Sequence, residues 1–308
     1  MFVAQIYSVA LRLFTPLLCG LFLAARLAAA PPKIPILLDT DIGSDIDDAF
    51  ALALVLESPE LDLVGLTTVS GDSEARARLA AKMLWAAGRT NVPVVAGEPS
   101  RPLPMEQARW AAGFVTPALR HEKAVDFLAA QIERRPGEIT LIAIGPLTNV
   151  AALVKQHPEA AKKIKRIVLM GGSIARGYEP GSKPAAEYNI LSDPLAAQVV
   201  FSSGLPILMV PLDASAMLEL DAAARRRVFT HLSALTDALT LLYHLWNHET
   251  PILFDPMAVA MVIDPTLCET KQLAIEVDST GYTRAAEGQR PTSRWRSALT
   301  WSGSWNSI

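Results

Sequence analysis

Cysteine is almost absent from this chain of 308 residues, with Cys19 and Cys268 the only two. Cys19 falls in an apolar leader, which leaves Cys268 alone in any processed form and excludes an intrachain disulfide there. A basic excess is missing as well. Against 31 Asp and Glu stand 28 Lys and Arg, a net charge of −3, so no cationic field is set out for nucleic acid. The last twenty residues, Gln289 to Ile308, contain no acid and show no helical or strand period, although they hold three of the six tryptophans. That tail reads as irregular, either disordered or truncated.

Residues 1–30 read as an export leader. Arg12 precedes the apolar run Leu13 to Ala24, and Ala28-Ala29-Ala30 supplies small residues for cleavage. Export implies a periplasmic or secreted protein with no membrane span in its mature form; the competing reading is an uncleaved anchor. Residues 31–288 then form the main domain, long enough to bury a sizeable core.

The densest chemistry lies at Ile34-Pro-Ile-Leu-Leu-Asp39-Thr-Asp41-Ile-Gly43-Ser-Asp45-Ile-Asp47-Asp48. An apolar run suited to a buried strand ends in five aspartates within ten residues. Ala49 to Leu56 follows, apolar on every side and made of good helix formers, so it reads as a buried helix. Asp47 and Asp48 alone fit a capping role at that helix's positive end. The whole run does not, because two caps suffice and Gly43 adds a tight turn. Carboxylates crowded between buried elements need a cation, protons or open water. Oxygen-only ligands suit Ca²⁺ or Mg²⁺ better than zinc.

Further on, strands are expected at 61–69, 92–96, 139–144, 166–170 and 205–210, with helices near 74–87, 121–134 and from Pro194, capped by Asp193. Residues 97–119 are Pro-rich and read as a segment wrapping the surface or covering a site. Lys271 to Val277 reads as one late strand, and 214–263 as helical. Strand and helix alternate at least five times, which predicts an α/β fold: a mostly parallel open sheet, helices on both faces, and a helical C-terminal part. Asp41, Asp72, the Ile144-Gly145 turn, Gly171 and Asp213 all fall at carboxyl ends of predicted strands, the edge where such sheets bind ligands.

Five stretches together resemble the calcium-dependent, inosine–uridine preferring nucleoside hydrolases. They are Asp39-Thr-Asp41 with Asp47-Asp48-Ala, Thr67-Thr-Val-Ser-Gly71-Asp72, Gly145-Pro-Leu-Thr-Asn149, Met170-Gly-Gly172 with Glu187-Tyr-Asn189, and Asp255-Pro256. The resemblance implies Ca²⁺ on Asp41, Asp48, the backbone carbonyl of Ile144 and Asp255. It implies that Asp47, Asp72, Glu187 and Asn189 hold the ribose hydroxyls, with Asp41 as base for the attacking water. It also implies a small-molecule ribonucleoside as substrate and a homo-oligomer, dimer or tetramer.

Several positions depart from the family pattern. Ser44-Asp45-Ile46 lengthens the first motif, so Asp45 competes with Asp47 and Asp48 for the ion. Tyr178 stands where an Asn is usual, and Asp72 where Asn is common. Phe254 precedes Asp255 where the family has a His proposed to protonate the leaving base. Tyr243, His244 and His248 are the candidate substitute acids, and Trp246 a candidate stacking residue. Two rival readings follow: an exported nucleoside-binding or ribose-binding protein without turnover, and a Mg²⁺ phosphatase of the haloacid-dehalogenase type.

Overall fold

The structure, a computed structural model, describes residues 32–286 and the strand 296–299. The expected leader and most of the tail therefore lie outside the described residues. Alternation begins with β1 (Ile34–Thr40), α1 (Asp47–Glu57), β2 (Leu61–Thr68), α2 (Ser73–Ala86) and β3 (Val94–Ala96). The Pro-rich stretch contributes a 3₁₀ turn (Glu106–Ala111) and an unforeseen short strand β4 (Leu119–Arg120). Next come α3 (Ala124–Arg134), β5 (Thr140–Ala143), α4 (Thr148–Gln156), α5 (Pro158–Ala161) and β6 (Arg166–Met170). Two more helices, α6 (Tyr188–Ser192) and α7 (Pro194–Ser202), lead to β7 (Ile207–Val210). As expected, Asp193 caps α7, accepting the Ala196 N–H at 3.0 Å.

Helices α8 (Leu212–Ser215), α9 (Ala222–Phe229), α10 (Ala234–Trp246) and α11 (Phe254–Ile263) form the helical C-terminal part. The expected late strand is instead two. β8 (Thr270–Gln272) and β9 (Ile275–Val277) join different sheets, β9 pairing antiparallel with β10 (Thr283–Ala285). The division has a physical cause: β8 is exposed throughout, whereas Ile275 turns into the core. β11 (Arg296–Leu299) falls within the segment read as irregular and runs parallel to β7.

The main sheet runs β4-β3-β2-β1-β5-β6-β7-β11-β8 and is parallel except at β8. Successive side chains of a strand point to opposite faces, and the two cores divide accordingly. Ile36 and Leu38 of β1, with Ile142, Val168 and Val210, pack beneath α1, α2, α10 and α11. Leu37, with Leu141, Ala143, Ile167 and Met209, packs against α3, α4 and α7. Strands buried on both faces explain the near-continuous apolar runs. This is the α/β arrangement anticipated above.

One packing choice positions the site. Helices α1 and α11 are apolar nearly all round, so neither can lie on the surface. They pack against each other. Asp47 and Asp48 occupy the first turn of α1, and Asp255 the first turn of α11. Acids 208 residues apart thereby meet, with the Asp255 N–H donating to Asp47 Oδ2 at 3.3 Å.

Candidate active site

A cavity of about 250 Å³ opens at the carboxyl edge of β1, β5 and β6. Asp41, Asp45, Asp47, Asp48, Ile144, Glu187, Asn189 and Asp255 line it, together with Ser44, Met170, Tyr178, Tyr188 and Phe254. Carboxylate oxygens of Asp47, Asp48 and Asp255 lie within 4.8 Å of one another, all three side chains buried. Thr40 Oγ1 donates to Asp48. Asp48 accepts from Thr40 and Asp47 from the Asp255 N–H, so both acids are engaged beyond their own helix's first turn. Asp41 faces the same cavity without belonging to that tight triad.

Burial is the main cause of the unusual proton affinities here. It pushes Asp41 up to about 6 despite the opposing charge of Arg76. Asp47, Asp48 and Asp255 are raised well above the ordinary carboxylate range, first by burial and then by a neighbouring carboxylate's charge: that of Asp45 on Asp47, of Asp41 on Asp48, and of Asp47 on Asp255. Such a group of oxygens is stable only when protonated or when a cation takes up the charge. Buried, oxygen-only and divalent-sized, the donor set fits a hard metal ion.

Glu187 begins α6 and is already extensively hydrogen-bonded. Its Oε1 accepts the Asn189 N–H at 2.9 Å, and its Oε2 accepts those of Gly172 at 2.9 Å and Ile190 at 3.2 Å. Burial still raises it to about 7. The Asn189 amide donates at 3.2 Å to the carbonyls of both Ile144 and Met170, which turns its Oδ1 into the available acceptor. A carbonyl has two lone pairs, so Ile144 keeps one for a ligand. Gly145 matters by its smallness: a Cβ there would sit 2.9 Å from Asp41 Oδ1 and 2.8 Å from Val69 Cγ1.

Not every expected residue arrives. Asp72 is exposed, lies outside the cavity lining, and caps α2 by accepting the Ala75 N–H at 2.9 Å. Asp45 is exposed at the rim, accepts the Ile46 N–H at 2.6 Å and stands outside the triad. Among the substitute acids, Tyr243 donates to the Glu249 carbonyl at 2.6 Å, and neither it, His244 nor His248 lines the cavity. Trp246 packs against His248 with ring centroids 4.8 Å apart and planes tilted by 53°, also outside the lining. Phe254 does line it, edge-on to Tyr178 at 6.0 Å. Asp213 anchors the loop after β6, accepting the N–H groups of Ile174 and Ala175 at 2.8 and 2.7 Å.

The supporting roles of three residues are not legible in the sequence, although Asp39 itself stands in the first motif. Asp39 is fully buried; its Oδ1 accepts Thr67 Oγ1 at 2.6 Å and Asn149 Nδ2 at 2.8 Å, and burial lifts it to about 7. Arg76 and Gln107 hold the acidic loop from behind. The arginine sits in an ordinary alanine-rich helix pattern, and nothing in its spacing marks it.

A carboxylate-rich cavity at the carboxyl edge of a parallel α/β sheet suits an enzyme that binds a small molecule beside a hard cation. The inosine-uridine preferring nucleoside hydrolase family model matches residues 36–303, and the chain belongs to that family. Among curated relatives it is 35% identical over 276 residues to the pyrimidine-specific ribonucleoside hydrolase RihA of Citrobacter koseri, covering 82% of this chain and 86% of that one. The corresponding Escherichia coli protein is 37% identical over the same shares. Among solved structures, the plant nucleoside hydrolase PpNRh1 superposes with a TM-score of 0.73 at 29% identity, covering 88% of this chain and 94% of its own. A purine-preferring ribonucleoside hydrolase from Gardnerella vaginalis gives 0.67 at 28% identity, covering 86% and 92%. Family membership displaces the phosphatase reading.

Proposed function

We propose that the cavity hydrolyses the N-glycosidic bond of ribonucleosides to free base and ribose, with Ca²⁺ as its cation. The observation that carries this reading is the meeting of Asp47, Asp48 and Asp255 at the first turns of two packed helices, beside Asp41. Asp41, Asp48, Asp255 and the Ile144 carbonyl would hold the ion, which when bound polarises a water molecule and the sugar hydroxyls.

The remaining steps belong to this chain's own groups. Asp41, which burial raises to about 6 in the cation-free fold, would be kept ionised beside the cation, and its carboxylate accepts a proton from the attacking water. Asp47 and the Asn189 Oδ1 accept hydrogen bonds from ribose hydroxyls and orient the sugar. As the base departs, the sugar gains oxocarbenium character, and the surrounding carboxylates stabilise that positive charge. Phe254 and Tyr178 supply an apolar flank without a histidine proton donor. Leaving groups that need little protonation are therefore the better substrates.

The test is a panel comparing uridine, inosine, their 2′-deoxy and 3′-deoxy forms, and an aryl riboside with an acidic leaving group. Ribosides are expected to turn over at least about 100-fold faster than deoxyribosides, and the aryl riboside fastest. Equal rates with deoxy substrates contradict the sugar clamp. The tight grouping of Asp47 with the two other acids favours a variant in which Asp47 also touches the ion. Asp47→Asn separates the two, lowering cation affinity in that variant and ribose affinity alone otherwise.

The position of Phe254 favours one alternative, an exported protein that binds nucleoside without turnover; binding with no product from any substrate of the panel would establish it. Export itself is supported by the apolar leader and is tested by N-terminal sequencing of the mature protein. A homo-oligomer is the family-based expectation, tested by sedimentation.

A further inference from the structure

Among the described residues Arg76 is the largest side chain that is wholly buried, and it carries a permanent charge. No carboxylate is within ion-pairing distance of it among the described residues. Its three nitrogens go instead to uncharged acceptors: Nε to the Ser70 carbonyl at 2.8 Å, Nη1 to the Ile42 carbonyl at 3.0 Å, and Nη2 to Ser44 Oγ at 3.0 Å. Ile42 adjoins Asp41, and Ser44 begins the extra residues that lead to Asp47. From the opposite flank, Gln107 of the 3₁₀ turn donates to the carbonyls of Ser44 at 3.2 Å and Asp45 at 2.6 Å. Between these anchors Gly43 has φ of +118°, and a Cβ there would be 3.3 Å from Leu79 Cδ2.

Neither Arg76 nor Gln107 lines the cavity. A buried guanidinium with no carboxylate in contact is offset only by the more distant charges of Asp41 and Asp48, and its three directed hydrogen bonds point to a structural role. A planar fork with fixed directions can hold three backbone and side-chain points in one relative geometry, which a lysine ammonium cannot. Resting on the function proposed above, we propose that Arg76 is the positioning residue of the acidic loop. Its fork fixes the backbone from Asp41 to Asp47, so that the carboxylate after β1 and those of α1 face one cation site.

The sign of the effect on cation binding separates this role from a purely electrostatic one. Removing a positive charge near a cation site, by charge alone, strengthens cation binding. Loss of positioning weakens it. The experiment uses the full chain and the variants Arg76→Lys, Arg76→Met and Ser44→Ala, the last deleting only one prong's acceptor. Ca²⁺ affinity is measured calorimetrically on cation-stripped protein, and amide hydrogen exchange is followed over residues 42–47 without cation.

Arg76→Lys and Arg76→Met are both expected to bind Ca²⁺ at least tenfold more weakly and to exchange amides 42–47 at least tenfold faster, with β5 amides unchanged. Ser44→Ala is expected to show about a threefold effect on both readouts and covers the case in which the arginine variants fail to fold. Tighter binding in Arg76→Met with parental binding in Arg76→Lys overturns the proposal, as does parental exchange in every folded variant. The exchange readout needs no cation. Parental protein that binds no Ca²⁺ therefore refutes the cation assignment, while faster loop exchange in the variants still supports the bracing role.

Discussion

At the scale of single residues, the acids divide by what surrounds them rather than by what precedes them in the chain. Asp72 and Asp48 both follow a strand and both stand in a motif shared with nucleoside hydrolases. One is exposed and caps a helix; the other is buried beside two further carboxylates. Asp72→Ala is accordingly expected to cost about 1 kcal/mol of stability, as loss of an N-cap does, while kcat/KM stays within about twofold of the parent. Urea unfolding together with initial rates checks this, and a hundredfold loss of kcat/KM would return Asp72 to the sugar. The sequence made Asp41, Asp47, Asp48, Glu187, Asn189 and Asp255 visible because charge in an apolar setting is conspicuous. Arg76, Gln107 and the bonded state of Asp39 were not visible, because their roles depend on partners up to 110 residues away.

At the scale of elements, period and composition placed most strands and helices, since strands buried on both faces leave unbroken apolar runs. They did not separate β8 from β9, where edge exposure and core burial lie within six residues, nor reveal the two-residue strand β4. The turn between β5 and α4 shows why a glycine stands there. Gly145 lies against both the Asp41 carboxylate just after β1 and the Val69 side chain, leaving no room for a methyl group. Gly145→Ala is expected to destabilise the protein by about 1–3 kcal/mol and to lower kcat more than tenfold by displacing Asp41. Thermal unfolding and steady-state rates measure the two effects, and a stable variant with parental kcat would show that the turn tolerates the methyl.

On the scale of the whole molecule, the site is a concentrated burden of negative charge in an otherwise apolar interior. Burial raises Asp39 from 3.8 and Glu187 from 4.5 to about 7 in the fold. The folded state therefore holds those protons more tightly than the unfolded chain. Their contribution to stability is complete below about pH 4 and is lost as pH climbs through 7. Cation-free protein is expected to melt on the order of 5 °C or more lower at pH 8 than at pH 5, with added Ca²⁺ raising the melting temperature most at pH 8. Calorimetric scans across that range, with chelator and with Ca²⁺, give the comparison; a cation-free melting temperature that rises from pH 5 to 8 would contradict the charge balance described here.

The most direct measurement is ribose release from a ribonucleoside by protein stripped with chelator, as Ca²⁺ is titrated back, for the parent and for Asp41→Ala. The parent is expected to be inactive when stripped and to recover saturably with Ca²⁺, while Asp41→Ala remains at least about 100-fold slower at every concentration. Undiminished hydrolysis by the stripped parent, or parental rates from Asp41→Ala, would contradict the account.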